Sequence, residues 1–234
     1  MTTSTETTET RIPLSRGRVL EAAIDLADRE GIEALTMRRL GQDLGVEAMS
    51  LYNHVSNKED LLDGVVESLI VEIEHRVVDI DPPADADDWK RAMRERILTA
   101  RSVLLRHPWA PGVIESRTDM HPPLIAYFDG LLGVFVAGGF TFDLAHHAMH
   151  ALGSRALGFT QELFVPDDDA ASDEMTTEMI IQMASVYPNI AGMLEVISHD
   201  PTEDSLGWCD DETEFTFGLD LILDGLDRLR TSTS

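Results

Sequence analysis

Three observations predict an all-α protein. Apolar residues recur three and four positions apart through most of the chain, no stretch alternates with the two-residue period of a half-buried strand, and glycines and prolines punctuate the pattern at helix-length intervals. At 234 residues, 43% of them apolar, the chain is long enough to bury a substantial core as one large domain or two smaller ones.

The elements follow in order. Residues 1–10 are rich in Thr and Glu and have too little apolar surface to offset the entropy of ordering them, so a disordered tail is expected. Ser15 caps a first helix with Leu20, Ala23, Ile24 and Ala27 on one face, and Gly31 stops it. Thr36 caps a second, short helix through Met37, Leu40 and Leu44. Gly45 ends that helix because glycine enters a left-handed cap without steric cost. Val46 plugs the angle, and Glu47 opens a third helix whose inward residues are Leu51 and Val55. Two short helices joined by such a turn make a helix-turn-helix, the second helix of which lies in the DNA major groove. Asn57, or Ser56, caps a fourth helix with Glu59 and Asp60 in its first turn, where the helix dipole favours anions. Its apolar residues, from Leu61 and Leu62 to Ile73, outlast what a small domain covers, so it is read as a helical connection.

The acidic, proline-bearing stretch DIDPPADADD breaks the chain at 79–88, and Trp89 begins a helix through Met93, Ile97, Ala100, Val103 and Leu104. His107-Pro108 interrupts it, and Trp109 to Gly112 is irregular or a short helical turn. Further helices are expected over Leu124 to Ala137, from a Thr141 cap to about Phe164, over Met179 to Ala184, over Ile190 to Ile197, and from near Asp211 to the end. Between them VPDDDAASDEM reads as a solvated acidic loop. The domain organisation is therefore a tail (1–10), a helix-turn-helix domain (11–57), a connecting helix (58–80) and a helical body (81–234).

The net charge of −25 is uneven. Residues 11–58 hold seven basic and seven acidic side chains, the first ten residues carry −2, and −23 falls on 59–234. An acidic body repelled by phosphate turns the neutral end toward DNA and keeps nonspecific binding weak. With no secretory segment, no bilayer-length apolar run and Cys209 as the single cysteine, a cytoplasmic protein without a membrane partner is expected. No nucleotide-binding glycine loop, G-x-S-x-G elbow or H-E-x-x-H is present, so the reading is not an enzyme and invokes no cofactor.

From Leu14 to Leu69, on the run GIEALTMRRL followed by LGVEAMSLYNHVSNKEDLLD, the chain resembles the DNA-binding domain of the TetR family of bacterial transcriptional repressors. The terminal FTFGLDLILDGLDRL resembles the last helix of that family's tetracycline-repressor type of regulatory domain. The resemblance implies a homodimeric repressor that binds a palindromic double-stranded DNA operator and is released by a small-molecule inducer. A ligand-dependent activator, or a helical protein-interaction module without DNA binding, are the alternatives. Position by position it implies DNA contacts for Thr36, Arg38, Ala48, Met49, Ser50, Tyr52, Asn53, His54 and Lys58. The chemistry of these side chains agrees: Arg pairs with guanine through two bonds, Ser and Asn bond base edges or backbone, and Lys takes phosphate. Tyr52 stands open between DNA contact and packing of the three-helix core, and Arg39 reads as an ion pair between helices. Where tetracycline-sensing members carry Gln-Pro-Thr and Trp, this chain carries Ala48-Met49-Ser50 and Asn53, so a different operator is expected.

In the body, large or polar residues on inner helices are the candidates for a ligand pocket: Trp89, Met93, Arg101, Trp109, Phe128, His147, His150, Arg155, Phe159 and Met183. Core or interface packing is the competing role for each. His146, His147 and His150 lack a carboxylate or cysteine at ligand spacing, so no metal site is assigned. The histidine with which tetracycline-sensing members hold a metal-chelated drug falls near Ile114, which argues against that drug as inducer. The wide apolar stripe of the last helix, Phe215, Leu219, Ile222, Leu223 and Leu226, widened by Phe217 and Leu221, is expected to meet its copy in a second subunit.

Overall fold

The computed structural model describes residues 13–117, 121–158, 185–197 and 211–232, and among these every regular element is helical. The described chain forms two compact units, one ending at Ala145 and the other beginning at His146.

Helix α1 (Arg16–Glu30) opens on Ser15, whose side chain accepts from the Arg18 N–H at 3.3 Å, and closes on Gly31 at φ 82°. After a 3-10 turn at Ile32–Ala34, α2 (Met37–Leu44) starts at Thr36, whose Oγ1 accepts from the Arg39 N–H at 3.1 Å. Gly45 ends it in the left-handed region, φ 66° and ψ 33°. Each cap satisfies a backbone group that the first or last turn leaves open, worth about 1 kcal/mol at an N-cap. Helix α3 (Ala48–Leu51) is a single α turn. The expected extension to Val55 tightens into turns, with His54 N–H donating to the Leu51 carbonyl at 2.8 Å. Helix α4 (Lys58–Val77) starts at Asn57, whose Oδ1 accepts from the Asp60 N–H at 2.8 Å, while the Asp60 carboxylate accepts in return from the Ser56 N–H at 2.7 Å.

Helix α4 ends three residues short of the expected connection, and it is no bare linker. Its buried face, Leu61, Leu62, Val65, Val66, Ile70, Ile73 and Val77, joins Leu26, Leu35, Leu40 and Leu51 to Ala100, Val103 and Val113 in one continuous core. Those last three lie on α5 (Trp89–Leu104) and α6 (Ala110–Ser116). Helix α7 (Pro122–Ala137) begins two residues earlier than expected, since proline costs nothing in a first turn. Trp89 closes the far end: its ring lies 4.6 Å from Phe140 edge-on and 5.9 Å from Phe135. A Cβ at Gly138 would stand 2.7 Å from the Trp89 Cβ, so glycine is what lets the end of α7 approach the start of α5.

Helix α8 (Phe142–Gly158) takes its cap from Thr141, which accepts from the Leu144 N–H at 3.2 Å. In the second unit, α9 (Pro188–Ile197) and α10 (Asp211–Ser232) follow. The expected disordered tail, the end of α8 to Phe164, the acidic loop and the helix over Met179 to Ala184 lie outside the described residues.

The stripe on α10 divides differently from the expectation. Phe215, Leu219, Leu223 and Leu226 are buried within a single chain and Ile222 is half-buried, whereas Phe217, Leu221 and Leu229 are exposed. A helix with apolar residues on two sides gives one side to its own subunit: four of the five residues expected at the partner are already buried in one chain, and Ile222 keeps part of its surface.

Candidate nucleic-acid interface

The α2–α3 pair is held by buried residues on one side, which leaves its other side to solvent. Leu40, Leu51 and Val55 anchor it to the core. Gly41 sets how close the two helices come: a Cβ there would lie 3.0 Å from the Val46 carbonyl oxygen and 3.2 Å from the Ala48 backbone nitrogen. The Val46 N–H also donates to the Gly41 carbonyl at 2.9 Å. Sequence reasoning does not single out Gly41, although a glycine inside a short helix, four residues before the capping glycine, signals close backbone approach.

With that scaffold fixed, Met49 is 74% exposed and Tyr52 44% exposed, so Tyr52 stands on the outer face rather than in the three-helix core. Asn53 is exposed, and Ala48, Ser50 and His54 are half-buried. The His54 carbonyl is spoken for, accepting from Arg16 at 3.1 Å. Thr36 is exposed with its hydroxyl oxygen in the cap.

Charge distribution separates the cations of this end into two sets. Arg16 donates to Asp60 at 2.7 Å, Arg29 to Asp43 at 2.9 Å, and Arg39 pairs with Glu30 on α1, as expected of a pair between helices. Arg16 holds the Asp60 carboxyl down to about 2, helped by the Ser56 N–H, and Arg39 lowers that of Glu30. Arg38 and Lys58, by contrast, are exposed and have no ion pair among the described residues. They flank α3 in sequence, one at the start of α2 and one at the start of α4. This end therefore presents two cations without an ion pair among the described residues around a helical turn at which Met49, Tyr52 and Asn53 are exposed, an arrangement suited to phosphate with base edges between.

Behind this end, Asp28 near the close of α1 joins it to the α5–α6 segment. Its Oδ1 accepts from Trp109 Nε1 at 2.7 Å and from His107 Nδ1 at 2.8 Å. Trp109, a pocket candidate, is thus committed to α1. Trp89 and Met93 are core residues, at most 1% exposed, and Arg101 is buried. Phe128 is half-buried beside Tyr127. His147 and His150 are exposed on α8 rather than on an inner wall. Arg155 lies over the Phe215 ring at 5.1 Å and donates to the Glu214 carbonyl at 2.5 Å. Phe159 and Met183 lie outside the described residues.

Comparison with known proteins matches both ends. Residues 19–65 match the family of bacterial regulatory proteins named for TetR, and 81–230 match the tetracycline-repressor-like C-terminal domain. The chain is 28% identical to the class C tetracycline repressor protein of Escherichia coli over 221 residues, 94% of each chain. Among solved structures, a possible TetR family transcriptional regulator from Streptomyces coelicolor A3(2) superimposes with a TM-score of 0.70 at 27% identity, covering 92% of this chain and 100% of the other. A TetR variant from Acinetobacter baumannii AYE in complex with minocycline superimposes with a TM-score of 0.65 at 25% identity, covering 94% and 97%.

Proposed function

Since the chain belongs to the TetR family of DNA-binding transcriptional regulators, we propose that it acts as a homodimeric repressor, bound to a palindromic operator and released by a small molecule. The observation that carries the DNA half is the exposed Met49 and half-buried Ser50 on α3 with the exposed Asn53 just after it, flanked by Arg38 and Lys58, which have no ion pair among the described residues. Ser50 and Asn53 offer hydrogen bonds to base edges, Met49 offers an apolar contact to a thymine methyl group, and Tyr52, His54, Arg38 and Lys58 take phosphate or guanine. The domain organisation supports the same reading, with residues 11–57 reading DNA and 81–234 binding ligand and partner subunit.

Dimerisation is supported by the exposed Phe217 and Leu221 on α10, which offer a self-complementary stripe to a two-fold copy. Ligand release is supported by the continuous core through α4, which gives a shift of α5 or α6 a packed route to α1–α3. A ligand that favours one arrangement by about 2.7 kcal/mol changes operator affinity about 100-fold. A regulator of this kind works in the cytoplasm beside its operator. The test is selection of duplexes from a random pool by the purified protein at near-physiological salt. A palindrome with half-sites about one helical turn apart is expected; a pool without enrichment contradicts the reading.

A further inference from the structure

We infer that the ligand of the helical body is an organic anion with an apolar frame, a carboxylate, sulfonate or acidic phenol on a ring system, held by Arg96 on α5 with Tyr127 on α7 beside it. The inference rests on the ligand-binding reading above and names the class of ligand.

Arg96 is half-buried, and its Nε is sealed from solvent with no hydrogen-bond acceptor. No ion pair reaches it among the described residues, in a chain where Asp and Glu outnumber Lys and Arg by 43 to 18. Burial lowers its pKa, and the one ionisable neighbour whose charge it feels is Tyr127. That phenol is pushed up to about 12, chiefly by burial, so it is a neutral O–H at physiological pH, and it makes no hydrogen bond among the described residues. Glu74 on α4 acts on Tyr127 but forms no ion pair with Arg96.

Two half-buried donors without acceptors among the described residues thus stand on α5 and α7, near enough for charge on one to be felt by the other. A guanidinium whose Nε is sealed from water without an acceptor costs the ligand-free chain stability, and an anion arriving with a ligand compensates it through a charge-assisted, two-pronged contact. The surroundings specify the rest of the molecule. Met93 and Ala100, three before and four after Arg96 on the same side of α5, are buried and apolar, and the Phe128 ring lies 5.9 Å from that of Tyr127. An inorganic anion leaves these apolar neighbours unused.

The test uses 8-anilinonaphthalene-1-sulfonate and N-phenyl-1-naphthylamine, which differ only by the sulfonate and both fluoresce on leaving water. Full-length wild type is expected to bind the sulfonate at least about ten-fold tighter than the neutral amine. Arg96→Met should lose about ten-fold for the sulfonate while holding the amine within two-fold, and Arg96→Lys should fall between. Arg96→Met should also raise the melting temperature of the ligand-free protein. Equal binding of the two probes to wild type, no binding of the sulfonate, a parallel loss of both in Arg96→Met, or a lowered melting temperature each overturns the inference. These readings need no DNA, so failure here leaves operator binding standing, and failure of operator selection leaves the anion preference standing.

Discussion

Trp109 donates its indole N–H to the Asp28 carboxylate at 2.7 Å, across 81 positions of sequence. The same oxygen accepts from His107 Nδ1, so His107 carries a proton on that nitrogen, and two side chains of the α5–α6 segment grip the end of α1 at one atom. Asp28→Ala should cost about 1–3 kcal/mol in urea unfolding, the penalty for stranding half-buried donors. Asp28→Asn keeps an acceptor oxygen and should cost less. Equal losses in the two variants would show that the contact needs the carboxylate's charge and not merely an acceptor oxygen at that place.

Lys58 and Arg38 have no ion pair among the described residues, and in the reading proposed above they meet DNA through their charge. Lys58→Ala should weaken all duplexes alike and lower the slope of log affinity against log salt by about 1. Arg39→Ala, which removes a cation already paired with Glu30, should leave that slope nearly unchanged. An unchanged slope in Lys58→Ala removes Lys58 from the phosphate contacts.

Acid should loosen α1 from α4 through Asp60. Its folded pKa of about 2 lies below the ordinary 3.8, so the Arg16–Asp60 pair stabilises the fold above pH 3.8 and that contribution is lost as pH falls toward 2. Asp60→Asn should therefore be less stable than wild type at pH 7, with the gap in urea midpoint closing between about pH 4 and pH 2. A gap constant across that range would mean that Asp60 acts only as a cap.

Gly41→Ala should destabilise the protein by about 1–3 kcal/mol, because the new methyl meets the backbone of Val46 and Ala48 rather than a movable side chain. Operator affinity should fall with it, as α3 is pushed from α2. Circular dichroism melts beside binding isotherms separate the two effects.

On α10 the two sides predict opposite outcomes. Phe217→Arg should give a folded monomer by sedimentation, whereas Leu219→Arg should unfold the subunit, since Leu219 is fully buried in one chain. A dimer that survives Phe217→Arg together with Leu221→Arg places the interface elsewhere.

What the sequence made legible is local. Thr36, Gly45 and Asn57 announce their caps because a cap is chosen within three residues of itself, and the buried face of α4 announces itself by spacing. The bond from Asp28 to Trp109 joins residues whose proximity no local pattern encodes, and Trp109 therefore read as a pocket residue. The side of α10 that faces inward depends on what packs there, so the spacing that groups Phe215 with Leu219 and Leu223 does not say which neighbour that side meets. Arg96 gives no local signal for a related reason: an arginine in a helix is ordinary until its surroundings are known.

The most direct test of the account compares the operators selected by wild type, Ser50→Ala and Asn53→Ala. If α3 reads bases within a two-fold dimer, each substitution relaxes or changes the preferred base at one position, and the change appears at the symmetric position of both half-sites. Consensus sites identical to that of the wild type, bound only more weakly, would contradict base readout by α3 and with it the central claim.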